Sequence, residues 1–184
     1  MKRLYLPLCE EERTSLKAGE AVLLNGEIYT ARDAAHKKMH EAIAKGEELP
    51  FDIHDAVIYY VGPTPAREGQ AIGSAGPTTA GRMDPYTPQL IELGLRGMIG
   101  KGRRSQAVKD AIVRNRAVDF VAVGGAGALL SHSISAREPV AYEELLAEAV
   151  TKLTVKDFPC FVGIDCEGND IYDSDECVPG RQEL

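Results

Sequence analysis

Apolar and polar positions change period several times along the chain, and each change predicts an element. After a short apolar run from Leu4 to Leu8, the segment Ala21–Thr30 reads as two strand-like runs on either side of Asn25-Gly26. An Asn-Gly pair in that setting is the strongest short hairpin signal, because both residues accept the left-handed backbone of a tight turn. From Ala31 to Ala44 the spacing shifts. Ala34, Ala35, Met39, Ala42 and Ile43 fall near a helical period, and Gly46 stands just past a natural end. A helix is therefore expected directly after a hairpin strand.

Ala56–Val61 is short, apolar and β-branched, bounded by His54-Asp55 and Gly62-Pro63, and suits a buried strand. Between Gly62 and Pro85 the pattern dissolves. Gly62, Gly69, Gly73, Gly76 and Gly81 alternate with Pro63, Pro65 and Pro77, so this stretch is mostly backbone in turn geometry. It carries Arg67, Thr78, Thr79, Arg82 and Asp84, and such a loop is where a site is expected. Beyond it come a helix over Thr87–Leu95, a strand at Gly97–Gly100, and a helix over Ser105–Arg116 capped by Ser105. A strand at Val118–Val123 then runs into Gly124-Gly125-Ala126-Gly127. The tail offers a helix around Glu144–Val150 and β-like runs at Leu153–Val155, Phe161–Ile164 and Ile171-Tyr172. Strands alternating with helices predict an α/β fold with a partly parallel sheet.

Length and charge narrow the classes. At 184 residues the chain is expected to form one domain over 1–184, and its net charge of −7 gives no global attraction for nucleic acid or an anionic membrane. An anionic ligand must be held locally. No run reaches the roughly 18 apolar residues needed to span a bilayer, and the start lacks the apolar core of a signal peptide, so a cytoplasmic protein is expected. Cys9, Cys160, Cys166 and Cys177 have no C-x-x-C or metal-finger spacing. They read as free thiols, with a redox or metal role as the alternative.

Several candidate sites compete with plainer readings. Gly124–Gly127 lacks the final glycine of a dinucleotide loop and reads better as a tight packing turn. Gly100-Lys101-Gly102 lacks the glycine and hydroxyl of a nucleotide triphosphate loop. Its lysine, flanked by residues without side chains, either meets an anion or is simply solvated. His36 and His40 are one helical turn apart and could share a metal, although one packed and one solvated histidine is the simpler reading. Gly76–Asp84 has more content, because a threonine hydroxyl and a guanidinium are presented together from permissive backbone; the plainer reading is a turn or helix cap. Arg32, Arg82 and Lys101 all fall at predicted element ends, and three such cations in an acidic protein suggest a small dianion.

The strings Tyr29-Thr-Ala-Arg32-Asp33-Ala-Ala-His36-Lys37, Gly62-Pro63, Ala75-Gly-Pro-Thr78-Thr79-Ala-Gly-Arg82-Met-Asp84 and Gly100-Lys101-Gly102 together resemble one family over nearly the whole chain. It is the β subunit of class I, iron–sulfur-dependent fumarate hydratase and L-tartrate dehydratase. The resemblance implies a swivelling β/β/α domain with a mixed sheet. It also implies a [4Fe–4S] cluster held by three cysteines of a partner α subunit, a C4 dicarboxylate substrate and a hetero-oligomer. Carried over position by position, Arg32 would bind a substrate carboxylate, Thr78 would be the catalytic base, and Arg82 and Lys101 would complete the anion pocket. Arg82, one turn beyond Thr78, is expected to assist that poor base. Fumarate hydration to L-malate is the expected reaction. The alternatives are L-tartrate dehydration or a non-catalytic dicarboxylate-binding or assembly module.

Overall fold

The computed structural model of the chain describes residues 1–66 and 68–173, so Arg67 and the tail carrying Cys177 lie outside the described residues. In chain order the elements are β1 (Lys2–Tyr5), α1 (Glu10–Ser15), β2 (Ala21–Thr30), α2 (Asp33–Lys45) and β3 (Val57–Tyr59). A 3₁₀ turn at Ala80–Met83 leads to α3 (Thr87–Glu92), β4 (Gly97–Gly100), α4 (Gln106–Asn115), β5 (Val118–Val121) and α5 (Gly127–Ser131). Then come β6 (Ile134–Ala141), a 3₁₀ stretch at Glu143–Glu148 and β7 (Val150–Ile164).

The sheet runs β1-β2-β3-β4-β5-β7-β6, and β2 also pairs with β7. That extra pairing closes β2, β3, β4, β5 and β7 into a ring. Within it β2 to β5 are parallel to one another and β7 is antiparallel to both of its neighbours. The mixed α/β sheet expected from the alternation of strands and helices is therefore present, in closed form. Side chains alternate across its wall, as a strand requires. Val57, Tyr59, Ile99, Phe120, Leu153 and Phe158 fill the interior. Ile58, Tyr60 and Met98 face outward onto Met39, Leu90, Ile91, Val108 and Ile112 of α2, α3 and α4.

The Asn25-Gly26 hairpin does not form. Strand β2 runs straight through, and the irregularity lies in its partner: Leu24 pairs with Phe158 but Gly26 pairs with Val155, which leaves one extra residue in β7. Asp157 there has φ +49°, and the Asn25 Oδ1 accepts its N–H at 2.9 Å. Asn25 thus serves as a side-chain substitute for the ladder partner that the bulge removes. Gly26 has φ +124°, and a Cβ on it would stand 3.0 Å from the Leu6 carbonyl oxygen.

Helix α2 starts at Asp33, later than Ala31, because Arg32 is extended at φ −130°, ψ −153°. Its buried Ala35, His36, Met39 and Ala42 recur at helical spacing, and Gly46 ends it in the left-handed region as expected. Ser105 caps α4, its hydroxyl accepting the Val108 N–H. In the tail, the β-like runs Leu153–Val155 and Phe161–Ile164 belong to one strand of 15 residues, and Val150, expected to be helical, is its first residue, whereas Ile171-Tyr172 lies in a turn. Pro159 is tolerated there because β6 pairs only as far as Val155 and β5 begins at Phe161, so that edge has no neighbour to lose.

Candidate active site

Because β2, β3, β4 and β5 are parallel, their C-terminal ends emerge on one side of the ring, the place where open α/β sheets gather their ligands. Arg32 follows the end of β2, Gly62 that of β3, Lys101 that of β4, and Gly124–Gly127 that of β5. The antiparallel β7 begins on the same side, which brings Glu148 there as well. The Thr30 hydroxyl ties β7 to β2 by donating to the Ala149 carbonyl at 3.1 Å and accepting the Thr151 N–H at 3.0 Å.

The Gly76–Asp84 loop is laid between the ends of β3 and β4. The Thr78 N–H donates to the Tyr60 carbonyl at 2.7 Å, the Lys101 N–H to the Thr78 carbonyl at 3.3 Å, and the Ala80 N–H to the Lys101 carbonyl at 2.8 Å. Thr78 and Lys101 are thereby placed side by side through their backbones. The Thr78 hydroxyl, half-buried, has no hydrogen-bond partner among the described residues. Lys101 makes no ion pair among them either, and a Cβ on Gly124 would lie 3.8 Å from its Nζ.

Arg32 and Arg82 meet through an acid that the sequence reading did not single out. Asp33 accepts the Arg82 Nε–H at 2.9 Å and the Arg32 Nε–H at 3.4 Å, and Glu148 also holds Arg32 Nε at 2.9 Å. The guanidinium of Arg32 then lies over Gly62, where a Cβ would come within 2.5 Å of Nη1. So the four expected residues form two joined pairs on one rim. Among the described residues no hydrogen bond links the arginine pair to the Thr78 hydroxyl or the Lys101 ammonium. Arg82, expected to assist Thr78, gives its Nε–H to Asp33.

Behind this rim lies a buried polar network, also missed from sequence. Arg104 donates to Asp84 at 2.7 Å, to Thr87 Oγ1 at 3.0 Å and to Asp119, while the second oxygen of Asp84 accepts the Ser105 N–H. Burial pushes the Asp119 carboxyl up to about 6 and Arg104 opposes that shift. The loop bearing Thr78 and Arg82 is thus pinned at Asp84 to the start of α4. Its other end is held by Tyr59, whose hydroxyl donates to the Ala75 carbonyl. Gly127 packs there too: a Cβ on it would stand 2.8 Å from the Gly76 nitrogen. Within Gly124–Gly127, then, it is Gly127 that packs tightly, while Gly124 and Gly125 are exposed.

The histidine pair divides. His36 is buried and donates Nδ1–H to the Arg32 carbonyl at 2.9 Å, with its ring centroid 5.3 Å from that of Tyr60. Burial lowers its pKa to about 4, so it is neutral. His40 is exposed and bonds Gln89 at 2.8 Å. A cluster site would need grouped thiolates. Cys9 is exposed, Cys160 lies inside the ring with its thiol pushed up by burial, and Cys166 is buried where its Sγ–H donates to the Ala117 carbonyl. Among the described residues no group of three or more His, Cys, Asp or Glu is placed to hold a metal, so they do not fit an iron–sulfur cluster.

The family model described as "Fumarase C-terminus" matches residues 2–175. The chain is 47% identical over 151 residues to "Fumarate hydratase class I, aerobic" of Escherichia coli (strain K12), covering 81% of this chain and 28% of that protein. It is 41% identical over 164 residues to "Fumarate hydratase 2" of Leishmania major, covering 88% and 29%. It is 36% identical over 179 residues to "Putative L(+)-tartrate dehydratase subunit beta" of Methanocaldococcus jannaschii, covering 94% and 92%. The chain therefore spans about a third or less of the fumarate hydratases it matches and nearly all of the tartrate dehydratase subunit. On the family match and on that end-to-end similarity, the chain belongs to the fumarase C-terminus family.

Proposed function

We propose that this chain is the β subunit of a class I, iron–sulfur hydro-lyase, and that with a cluster-bearing α subunit it completes a site for the reversible hydration of fumarate to L-malate. The observation that carries the reading is the rim itself. Arg32 and Lys101 follow the ends of the parallel strands β2 and β4, and the loop laid between the ends of β3 and β4 adds Arg82 and a Thr78 hydroxyl that is unengaged among the described residues. Two guanidinium groups and an ammonium suit a small dicarboxylate. The [4Fe–4S] cluster belongs to the partner in this reading, and the Lewis acidity it supplies toward the substrate hydroxyl lies outside this chain's residues. The assembly is a cytoplasmic heteromer whose β/β/α domain swivels against the α subunit.

This chain's own part is anion binding and proton transfer. Arg32 and Arg82 receive the carboxylates through their terminal nitrogens, since each Nε is already engaged. In dehydration, Thr78 Oγ takes the proton from the carbon next to the hydroxyl-bearing one; in hydration it returns that proton. As the C–H bond breaks, negative charge spreads onto the adjacent carboxylate, where the fixed cations stabilise it. A threonine hydroxyl is a weak base, and the Lys101 ammonium on the neighbouring backbone segment favours its ionised form.

L-Tartrate dehydration is the second reading, and the end-to-end match with the tartrate dehydratase subunit favours it. Anaerobic reconstitution with the cluster-bearing partner, assayed against a panel of C4 and C5 diacids, separates the two. Wild-type assembly is expected to hydrate fumarate, and Arg32→Ala and Thr78→Ala to lose at least about a hundredfold in rate while still assembling. Hydration by the isolated, iron-free chain overturns the shared site. An intact but inactive assembly that still binds diacids leaves the non-catalytic module.

A further inference from the structure

Asp33 divides its two carboxylate oxygens between its chain neighbour Arg32 and Arg82, which reaches it from a distant part of the chain. Oδ1 accepts from Arg82 Nε at 2.9 Å and Oδ2 from Arg32 Nε at 3.4 Å. Among the described residues it is the one side chain that forms ion pairs with both guanidinium groups. A guanidinium receives a carboxylate on either of two edges, one of which includes Nε. Asp33 and Glu148 occupy that edge on Arg32, and Asp33 occupies it on Arg82. What remains on each is its terminal pair of nitrogens, at a separation set by a single short acid on the first turn of α2.

We propose that Asp33 is a positioning residue that fixes the spacing of Arg32 and Arg82 and so makes the site selective for ligands with two carboxylates. This rests on the reading above, in which those arginines bind the substrate. An acid beside an anion site has two opposed effects, and they make the idea testable. Its charge repels an incoming dianion, so charge removal alone tightens binding by a factor of a few at a partly exposed, screened position. Its hydrogen bonds hold two donors in register, and losing that preorganisation weakens binding by about tenfold or more. A helix-start charge alone would do neither selectively.

The test uses the chain assembled with its cluster-bearing partner, with KM and kcat for fumarate and competitive inhibition constants for succinate and for butyrate, which has the same length but one carboxylate. In Asp33→Asn we expect the fumarate KM and the succinate inhibition constant to rise about tenfold, kcat to stay within about threefold, and butyrate to change little, so that diacid-over-monoacid selectivity shrinks about tenfold. Asp33→Ser keeps an oxygen at the start of the helix but cannot span both arginines. It is expected to show the same narrowing and serves if the asparagine variant does not assemble. Equal losses for succinate and butyrate, or tighter succinate binding, overturn the proposal alone. A wild-type assembly that turns over no diacid overturns the substrate reading and this proposal with it.

Discussion

The Arg32 guanidinium has its place because Gly62 has no side chain. A methyl at position 62 would stand 2.5 Å from Nη1. Gly62→Ala is therefore expected to displace the guanidinium and raise the diacid KM about tenfold, with little change in thermal midpoint, as steady-state kinetics and calorimetry on the assembly will show. His36 makes a second prediction at this scale. Its folded pKa is near 4 against 6.5 for a free histidine, so between those values the unfolded chain binds a proton that the native one does not. Stability then rises with pH across that window: the contribution is complete above about 6.5 and is lost as pH falls toward 4, on the order of 3 kcal/mol. His36→Asn keeps an N–H for the Arg32 carbonyl, and urea unfolding from pH 4 to 7 should show a flatter profile in the variant. Arg32, Arg82 and Lys101 stood out as cations at predicted element ends, and Thr78 because glycines and prolines mark its loop. Asp33, Glu148 and Arg104 were not, since an acid shared between two arginines and a cation buried between two acids exist only once remote segments meet.

Among the elements, the end of α2 and both ends of α4 were legible to within a residue, whereas α1 and the strand connectivity were not. The hydroxyl of Ser105 accepts the Val108 N–H, so Ser105→Ala should destabilise the chain by about 1 kcal/mol in chemical denaturation. The Asn25-Gly26 signal misled because its chemistry serves two purposes. A residue that can close a turn can also satisfy the orphan N–H of a bulge in the neighbouring strand, and only the pairing partner decides which. Gly26→Ala should cost roughly 1–3 kcal/mol through its positive φ and its approach to the Leu6 backbone, whereas a turn glycine would lose less. Strand β6 escaped notice because it is an edge strand with a mostly exposed, unalternating sequence that includes Glu138-Pro139. Strand β7 was broken in the reading at Asp157-Phe158-Pro159, where a bulge and an unpaired edge permit residues that ordinarily end strands.

For the molecule as a whole, alternation of strands and helices announced an α/β sheet but not its closure, because no local pattern records that β2 has β3 on one side and β7 on the other. The closed ring concentrates stability in its interior. Phe120 is fully buried there, and Phe120→Ala should lower the unfolding free energy by about 3–5 kcal/mol, measured by urea titration. The antiparallel pairing of β2 with β7 has a consequence for how the chain reaches this state. Ala21 meets Phe161 and Thr30 meets Thr151, so the seam joins segments more than a hundred positions apart. Parallel strands synthesised first must wait, with one edge of β2 bare, until β7 leaves the ribosome. Contacts of such long sequence separation form slowly, and a nascent chain stalled before β7 would expose a ready template for aggregation.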